Sequence, residues 1–553
     1  MRYMLPLLAV AIATVLPCAP SRAAPATPPI TWAACPASLT GGDWPGLGAR
    51  LHCGRVPMPL DHLHPDGRTI DVRIVRIAAA RPGERKGAIF VNIGGPGGQP
   101  ATYVTSMADA FSEVDAGDPL HGDKRRLADH YDFIAVIPRG LKGGWTYECR
   151  VPAPTAAFLP THRDDANWSL ALADATALAN ACSQPVEAPY LSTEQHVRDM
   201  DAVRASLGDP VLHFYGISYG GRVGATYAAF FPTRIGRMLL DSTFMFTGSY
   251  RTGIYLTSDA EQAAFERDVL APVQREARRY GQPDDADAIA WAVRSLSDEL
   301  RPAWHDQMVT PAALAAVLAM DRWVKAGGWH GWPALSRLAA TRRLSPDPRT
   351  DVAMRQAATE LVEHGAAAPA KSADRGRTLR KLSPFIDRYG ESVNQAVLCN
   401  DERWETVAAK IRARADRDAF TYPLLDGSQI TEQLTCAAWP RRVSREPDFA
   451  MLDGLGSFLM IQAEHDIATP LTGARALLRR YPASRLVVAT GTGRHGLLGH
   501  SATPCVERAA VAYLLEGRLP EGTARETSCA YVKAPLVDAS AEAWSVEGDR
   551  ALR

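Results

Sequence analysis

The chain has no excess charge of either sign and no block of five or six basic residues: lysine plus arginine and aspartate plus glutamate each number 61. With no electrostatic footprint for nucleic acid, no nucleic-acid partner is expected. None of the nine cysteines falls in a C-x-x-C pair and no H-E-x-x-H occurs, so zinc is not expected, and no other metal or organic cofactor is called for. No internal repeat is visible. The apolar run Leu5–Leu16 is too short to span a bilayer.

That run instead follows Met1-Arg2-Tyr3-Met4 in the manner of an export signal. Ser21-Arg22-Ala23 offers small residues before a cleavage point, so cutting after Ala23 is expected, ahead of Ala24-Pro25-Ala26-Thr27-Pro28-Pro29. Pro17 before Cys18 argues against lipid attachment. The expected location is the periplasm or the medium, with no stable membrane insertion after cleavage. Loss of Cys18 leaves Cys35, Cys53, Cys149, Cys182, Cys399, Cys436, Cys505 and Cys529, an even set in an exported chain, and disulfides follow. Eight cysteines admit 105 connectivities. Sequential pairing, which staples local loops, is the expectation carried forward.

The 553 residues exceed the roughly 100–200 that one domain needs, so a large core plus a second module fits. Seven short runs rich in β-branched or aromatic residues read as strands: Ile70–Ile77, Ala88–Asn92, Phe133–Ile137, Val211–Tyr215, Met238–Leu240, Phe458–Gln462 and Arg485–Ala489. Several are continuously apolar, as in a parallel sheet covered on both faces. Helical patterns such as Ser192–Leu207 lie between them, so the class reads as α/β. Between Leu240 and Phe458 strand-like runs become scarce. There Ser258-Asp259-Ala260-Glu261 has capping-box spacing and predicts a helix to about Tyr280. Thr310-Pro311 predicts an N-cap leading into Ala312–Val324, and Asp351–His364 is a further helical pattern. The expected division is a signal at 1–23, a core first part at 24–244, a mostly helical cap at 245–450 and a core second part at 451–553.

Val211-Leu212-His213-Phe214-Tyr215 runs into Gly216-Ile217-Ser218-Tyr219-Gly220, a strand followed by G-x-S-x-G and the small-residue helix start Gly224-Ala225-Thr226. A sharp turn from strand to helix lifts the serine out of the sheet, and glycines on either side let the two elements pack closely. A serine hydroxyl needs a base within reach and an acid to hold that base. Asp466, just past the strand Phe458–Gln462 and before Thr469-Pro470, is the expected acid, with Glu464 as its rival. Thr490-Gly491-Thr492-Gly493-Arg494-His495-Gly496 follows the last strand and presents His495 as the base, with His500 as the competitor. His52, His62 and His64 sit in polar surroundings and read as surface residues.

The loop Gly491–Gly496 also spells G-x-G-x-x-G, with Glu516 at the distance of a ribose-binding acid. That fingerprint should open a helix within a βαβ unit, and Pro504 and the nearby chain end are expected to leave no room for the next strand. Ile93-Gly94-Gly95-Pro96-Gly97-Gly98, after the strand Ala88–Asn92, supplies a Gly-rich turn. It makes the backbone amides of Gly95 and Tyr219 the candidate donors to a developing oxyanion.

Taken together, Gly94-Gly95-Pro96-Gly97, Gly216-Ile217-Ser218-Tyr219-Gly220, Asp466 with Thr469-Pro470, and His495-Gly496 resemble the secreted tripeptidyl aminopeptidase and proline iminopeptidase group of α/β-hydrolases. The likeness runs through nearly all of the mature chain. Its segment from Cys505 through Tyr513–Pro520 to Cys529 is similar to the small tail of tripeptidyl aminopeptidases. The resemblance implies an α/β-hydrolase fold with a mostly parallel sheet, and a large helical cap inserted before the strand that carries the acid. It further implies cap acids that receive a peptide's free amino terminus, for which Asp401, Glu402 and Glu405 are the candidates; the alternative is that they form a solvated helix start. Two departures bear on specificity: Ile137-Pro138-Arg139-Gly140 stands where the group has Asp-x-Arg-Gly, and Arg494 precedes the histidine in place of Gly. The expected substrate is the N-terminal portion of a peptide. A small carboxylic ester or amide is the alternative, and an inactive binding protein a third. The sequence does not indicate an oligomeric state.

Overall fold

The computed structural model describes residues 28–150, 163–304, 307–374, 387–422, 430–440, 443–499 and 503–531. Segment 1–23, expected to be an export signal, and His500 lie outside the described residues. Ten strands form one sheet: β1 (Thr31–Ala33), β2 (Leu51–Pro59), β3 (Thr69–Ile77), β4 (Gly87–Asn92), β5 (Tyr131–Val136), β6 (Leu212–Ile217), β7 (Ile235–Asp241), β8 (Leu459–Ala463), β9 (Arg485–Thr490) and β10 (Glu526–Ala530). Their order is β1-β2-β3-β5-β4-β6-β7-β8-β9-β10. Pairing is parallel from β5 through β4 and β6 to β10, and antiparallel among β1, β2, β3 and β5. Every residue of β5 and β8 is buried. Successive residues point to opposite faces, so unbroken burial means that both faces are covered.

All seven expected strands are present, and three more join them. β2 carries Gly54, Pro57 and Pro59, which break an apolar reading. β1 pairs only with Cys53–Arg55, so Pro57 and Pro59 lie beyond the stretch where a second ladder would need their amides. β10 corrects the expectation that no strand follows Pro504, since Glu526–Ala530 pairs parallel to β9. Its sequence, Glu-Thr-Ser-Cys-Ala, has no apolar run, and as an edge strand it buries only Cys529. The glycine loop nevertheless does not open a helix: the helix Pro504–Glu516 begins eight residues after Gly496. That spacing differs from the dinucleotide fingerprint.

The helix Thr193–Ser206 has Ser192 as its N-cap, and Pro311–Gly327 has Thr310. The helix expected to start at Ser258 starts eight residues earlier. It spans Tyr250–Phe265 and is capped by Ser249, whose hydroxyl accepts from the Thr252 amide at 3.2 Å. Ser258 lies inside it and donates to the Ile254 carbonyl. The capping-box spacing was coincidental, because Ser249 follows Gly248 at φ 83°, where the chain turns into the helix.

Between β7 and β8 the described chain is helical. Residues from Phe265 to Val362 enclose a separate apolar core around Val273, Trp304, Leu314, Val317 and Met354. The helix Asp165–Ser183 falls in the stretch read as core, yet its Ala171 and Ala175 pack against Ile411, Ala415, Ile430 and Leu434 of the later helices. Small side chains allow that close approach. The four cysteine pairs are the sequential ones, Cys35 with Cys53, Cys149 with Cys182, Cys399 with Cys436 and Cys505 with Cys529, with Cα separations of 4.9, 4.7, 4.7 and 5.8 Å. No helix among the described residues is long and apolar enough to cross a membrane.

Beyond the end of β5, Arg139 forks onto Asp199 at 2.6 and 2.8 Å and donates also to the carbonyls of Leu60 and Pro59. His62, expected at the surface, closes on the same carboxylate at 2.7 Å with its side chain 13% exposed. The arginine of the Ile137-Pro138-Arg139-Gly140 departure therefore ties the end of β5 to the helix Thr193–Ser206. Burial alone would raise the Asp199 pKa, but the Arg139 charge and the hydrogen bonds outweigh it and hold it at about 2. A depressed carboxylate stabilises the fold above its unfolded pKa of about 3.9, and that stability is lost as pH falls through about 2. Arg139→Met leaves the carboxylate buried with His62 alone and is expected to cost about 3–5 kcal/mol. Denaturant and acid titrations followed by circular dichroism test this: the variant should unfold at lower denaturant and at higher pH than the parent.

Candidate active site

β6 ends at Ile217 and the next helix begins at Gly220, leaving two residues to reverse the chain. Ser218 takes φ 58°, in the left-handed region that costs a non-glycine residue about 1–3 kcal/mol. Its amide donates to the Asp241 carbonyl at 3.0 Å, and its own carbonyl accepts from Gly221 at 2.9 Å and Phe244 at 3.0 Å. A Cβ on Gly216 would stand 2.6 Å from the Gly220 carbonyl oxygen, and one on Gly220 would strike the Asn92 carbonyl. Both flanking glycines are thus required sterically.

Asp466, 2% exposed, lies in the loop after β8. Its Oδ1 accepts from the Ala468 and Thr469 amides at 2.9 and 3.0 Å. Its Oδ2 accepts from Gln462 Nε2 at 3.1 Å and stands 2.9 Å from both Thr469 Oγ1 and His495 Nδ1. The rival Glu464 is half-exposed and accepts instead from the Gly491 amide at 2.7 Å, at the base of the histidine loop. It braces the loop's backbone.

That loop is anchored on the strand next to the serine. Asp241, buried at the end of β7, accepts from the amides of Leu497 and Leu498 at 2.9 Å and from the Tyr215 hydroxyl at 3.0 Å. Burial raises its pKa against those bonds. The Gly496 amide donates to Ser242 Oγ at 2.8 Å, and Ser242 itself has φ 47°. The end of β7 therefore holds both the Ser218 turn and the His495 loop. Sequence reasoning missed Asp241 and Ser242; the only signal was a polar Asp-Ser-Thr immediately after the apolar Met238–Leu240.

The loop after β4 lies against the serine turn. A Cβ on Gly94 would stand 2.6 Å from the Ile217 carbonyl oxygen and 2.7 Å from the Tyr219 nitrogen, and one on Gly97 would strike the Gly390 carbonyl of the cap. Gly94 and Gly97 take φ 82° and 92°. The Gly94 amide donates to Asn92 Oδ1 at 2.9 Å. Among the described residues neither the Gly95 nor the Tyr219 amide donates to a protein acceptor. The arrangement can offer both to a bound group.

The three cap acids separate. Cys399-Asn400-Asp401 closes the buried helix Arg388–Asp401, which corrects the helix-start reading for Asp401. The Asp401 carboxylate accepts from the Tyr219 hydroxyl at 2.7 Å, the Thr193 amide at 2.9 Å and the Thr193 hydroxyl at 2.5 Å. Glu402 accepts from the Tyr250 amide, and burial raises its pKa. Glu405 is taken up locally, by the Val407 amide at 3.0 Å and Lys410 at 3.5 Å. Tyr250 stacks on Phe244 at 4.7 Å and approaches Tyr219 and Trp404 at 6.0 and 6.5 Å, so the residue whose amide Glu402 binds belongs to an aromatic cluster that includes Tyr219 of the serine turn.

Comparison with known proteins places similar chains beside this one. The family described as "TAP-like protein" matches residues 422–529. The tripeptidyl aminopeptidase of Streptomyces lividans is 30% identical over 523 residues, covering 91% of this chain and 86% of that one. The serine protease Hip1 of Mycobacterium tuberculosis is 25% identical over 522 residues, covering 90% and 91%. Carboxylesterase B of the same organism is 25% identical over 503 residues, covering 86% of each chain.

Proposed function

The chain belongs to the tripeptidyl aminopeptidase family of α/β-hydrolases, and from that premise we propose that it is an exported serine aminopeptidase releasing short N-terminal pieces of peptides. The observation that carries the reading is the 2.9 Å contact of His495 with the buried Asp466, on a loop bonded to the same strand end as the Ser218 turn. His495 takes the Ser218 proton as Oγ attacks the scissile carbonyl. Asp466 fixes the ring and stabilises the imidazolium, and the Gly95 and Tyr219 amides receive the oxyanion. The protonated imidazole then protonates the leaving amine, and water, deprotonated by His495, releases the acyl group. Export is supported by the four sequential cysteine pairs, which suit an oxidising compartment.

Hydrolysis of a tripeptidyl anilide with a free amino terminus, its N-acetylated twin and an aryl ester tests the substrate class. Fast cleavage of the free peptide alone is the expected result. Cleavage of the ester with neither peptide touched would move the assignment to an esterase, a reading favoured by the carboxylesterase B likeness.

Among the cap acids, Asp401 is committed to Tyr219 and Thr193 and Glu405 to Val407 and Lys410, so Glu402, which accepts from the Tyr250 amide beside the site aromatics, is the proposed acceptor of the substrate ammonium. Glu402→Gln is expected to raise KM for the free-amine anilide about tenfold, the worth of a charge-assisted hydrogen bond of about 1.5 kcal/mol. Burial raises the Glu402 pKa, so its charge is lost at a higher pH than for an ordinary glutamate. The KM of the parent enzyme should therefore climb on the acid side from above that range, and this limb should vanish in Glu402→Gln. A KM within twofold of the parent at all pH values removes Glu402 from this role.

A further inference from the structure

Asn92 closes β4 and reaches in two directions: its Oδ1 accepts from the Gly94 amide at 2.9 Å, and its Nδ2 stands 3.3 Å from His196 Nε2. A carboxamide can turn over and exchange its oxygen and nitrogen, so its orientation is set by its partners. With an acceptor at His196 Nε2, the NH2 group is held there and the oxygen is held on Gly94. Without that acceptor, only the Gly94 N–H holds the carboxamide, and its NH2 end is left without the bond that fixes the side chain's position. The next residue is Gly95.

His196 is suited to accept. It lies on the helix Thr193–Ser206 with 7% of its surface exposed, in a cavity bounded by Asn92, Gly94, Pro96, Tyr219 and Arg139. Burial lowers its pKa to about 4, while the neighbouring charges of Asp199 and Arg139 pull in opposite directions. The ring is therefore neutral near pH 7. An accepting Nε2 places the proton on Nδ1, which has no hydrogen-bond partner among the described residues.

Resting on the serine-hydrolase reading above, we propose that His196 is a positioning residue for the reaction: through Asn92 it holds the Gly94-Gly95 turn so that the Gly95 amide faces the oxyanion. The interaction it supports strengthens when the carbonyl oxygen becomes charged, so the effect belongs in kcat rather than in KM. Deleting one oxyanion donor outright costs about 10²–10³ in kcat, and misaiming one should cost about 10–100-fold.

The test compares His196→Phe, which keeps the ring volume without an acceptor, with His196→Gln, whose Oε1 restores one. The readouts are kcat and KM for whichever substrate the parent cleaves, and affinity for a matching trifluoromethyl ketone. Ser218 Oγ adds to the ketone carbon, its proton passes to His495, and the ketone oxygen becomes the oxyanion. His196→Phe should lose about 10–100-fold in kcat and in ketone affinity with KM within about twofold, and His196→Gln should recover most of both. In an Asn92→Ala background, His196→Phe should cost nothing further. If His196→Phe does not fold, His196→Met replaces it in the same comparison. Unchanged kcat and ketone affinity in the acceptor-free variant, or a loss in His196→Gln as deep as in His196→Phe, overturns the proposal. Fluorophosphonate labelling of the parent separates the two levels: a labelled parent with an unimpaired acceptor-free variant sinks only this proposal, and an unlabelled parent sinks the serine-hydrolase reading with it.

Discussion

Ser218→Ala is expected to lower kcat for a free-amine tripeptidyl anilide by about 10⁴–10⁶ and to abolish covalent labelling by a fluorophosphonate. The loss should be chemical rather than structural. The bonds that hold the turn, from Ser218 N to Asp241 and from Gly221 and Phe244 to the Ser218 carbonyl, are backbone bonds that alanine keeps. Alanine meets the same left-handed backbone at φ 58° and pays no new strain. An unchanged thermal midpoint with lost turnover is therefore the expected pair of results. Adding His495→Ala to Ser218→Ala should cost almost nothing more, because groups that act as one unit are not additive. A labelled, active Ser218→Ala protein would remove the nucleophile assignment.

What the sequence disclosed follows from where local chemistry had a single use. The apolar runs of β4 to β9 could only be buried, and the order of strand, G-x-S-x-G and helix has one steric solution, realised at Gly216 and Gly220. Sequential cysteine pairs close short loops, and all four come together. The features that were missed had their role set by distant partners. β2 tolerates Pro57 and Pro59 because β1 stops short of them. Glu526–Ala530 becomes a strand because β9 offers an edge and Cys529 joins it to Cys505. Asp401 is turned toward Tyr219 by the packing of the cap, 182 residues away in the chain, and no local pattern at Cys399–Glu402 contains that information. Asp241 is the clearest case, a buried carboxylate that receives four donors, from Tyr215, Ser242, Leu497 and Leu498. From sequence it is only the last residue of a strand.

The second large effect is expected from Asp466→Asn, and its size can be argued atom by atom. Oδ1 faces two backbone donors, Ala468 N and Thr469 N, so the carboxamide oxygen of asparagine must stay on that side. The NH2 group then occupies the Oδ2 position, 2.9 Å from His495 Nδ1 and 3.1 Å from the donor Gln462 Nε2. Facing an amide donor, Nδ1 becomes an acceptor and the ring proton moves to Nε2, the nitrogen that must be bare to take the Ser218 proton. The wrong tautomer in an otherwise intact site costs about 10⁴ in kcat. Glu464→Gln, which touches the brace on the Gly491 amide and the contact with His465 but not the His495 ring, should stay within about tenfold of the parent. Steady-state kinetics on both variants decide between the two acids: a fall of less than tenfold in Asp466→Asn, with a larger one in Glu464→Gln, would transfer the orienting role to Glu464.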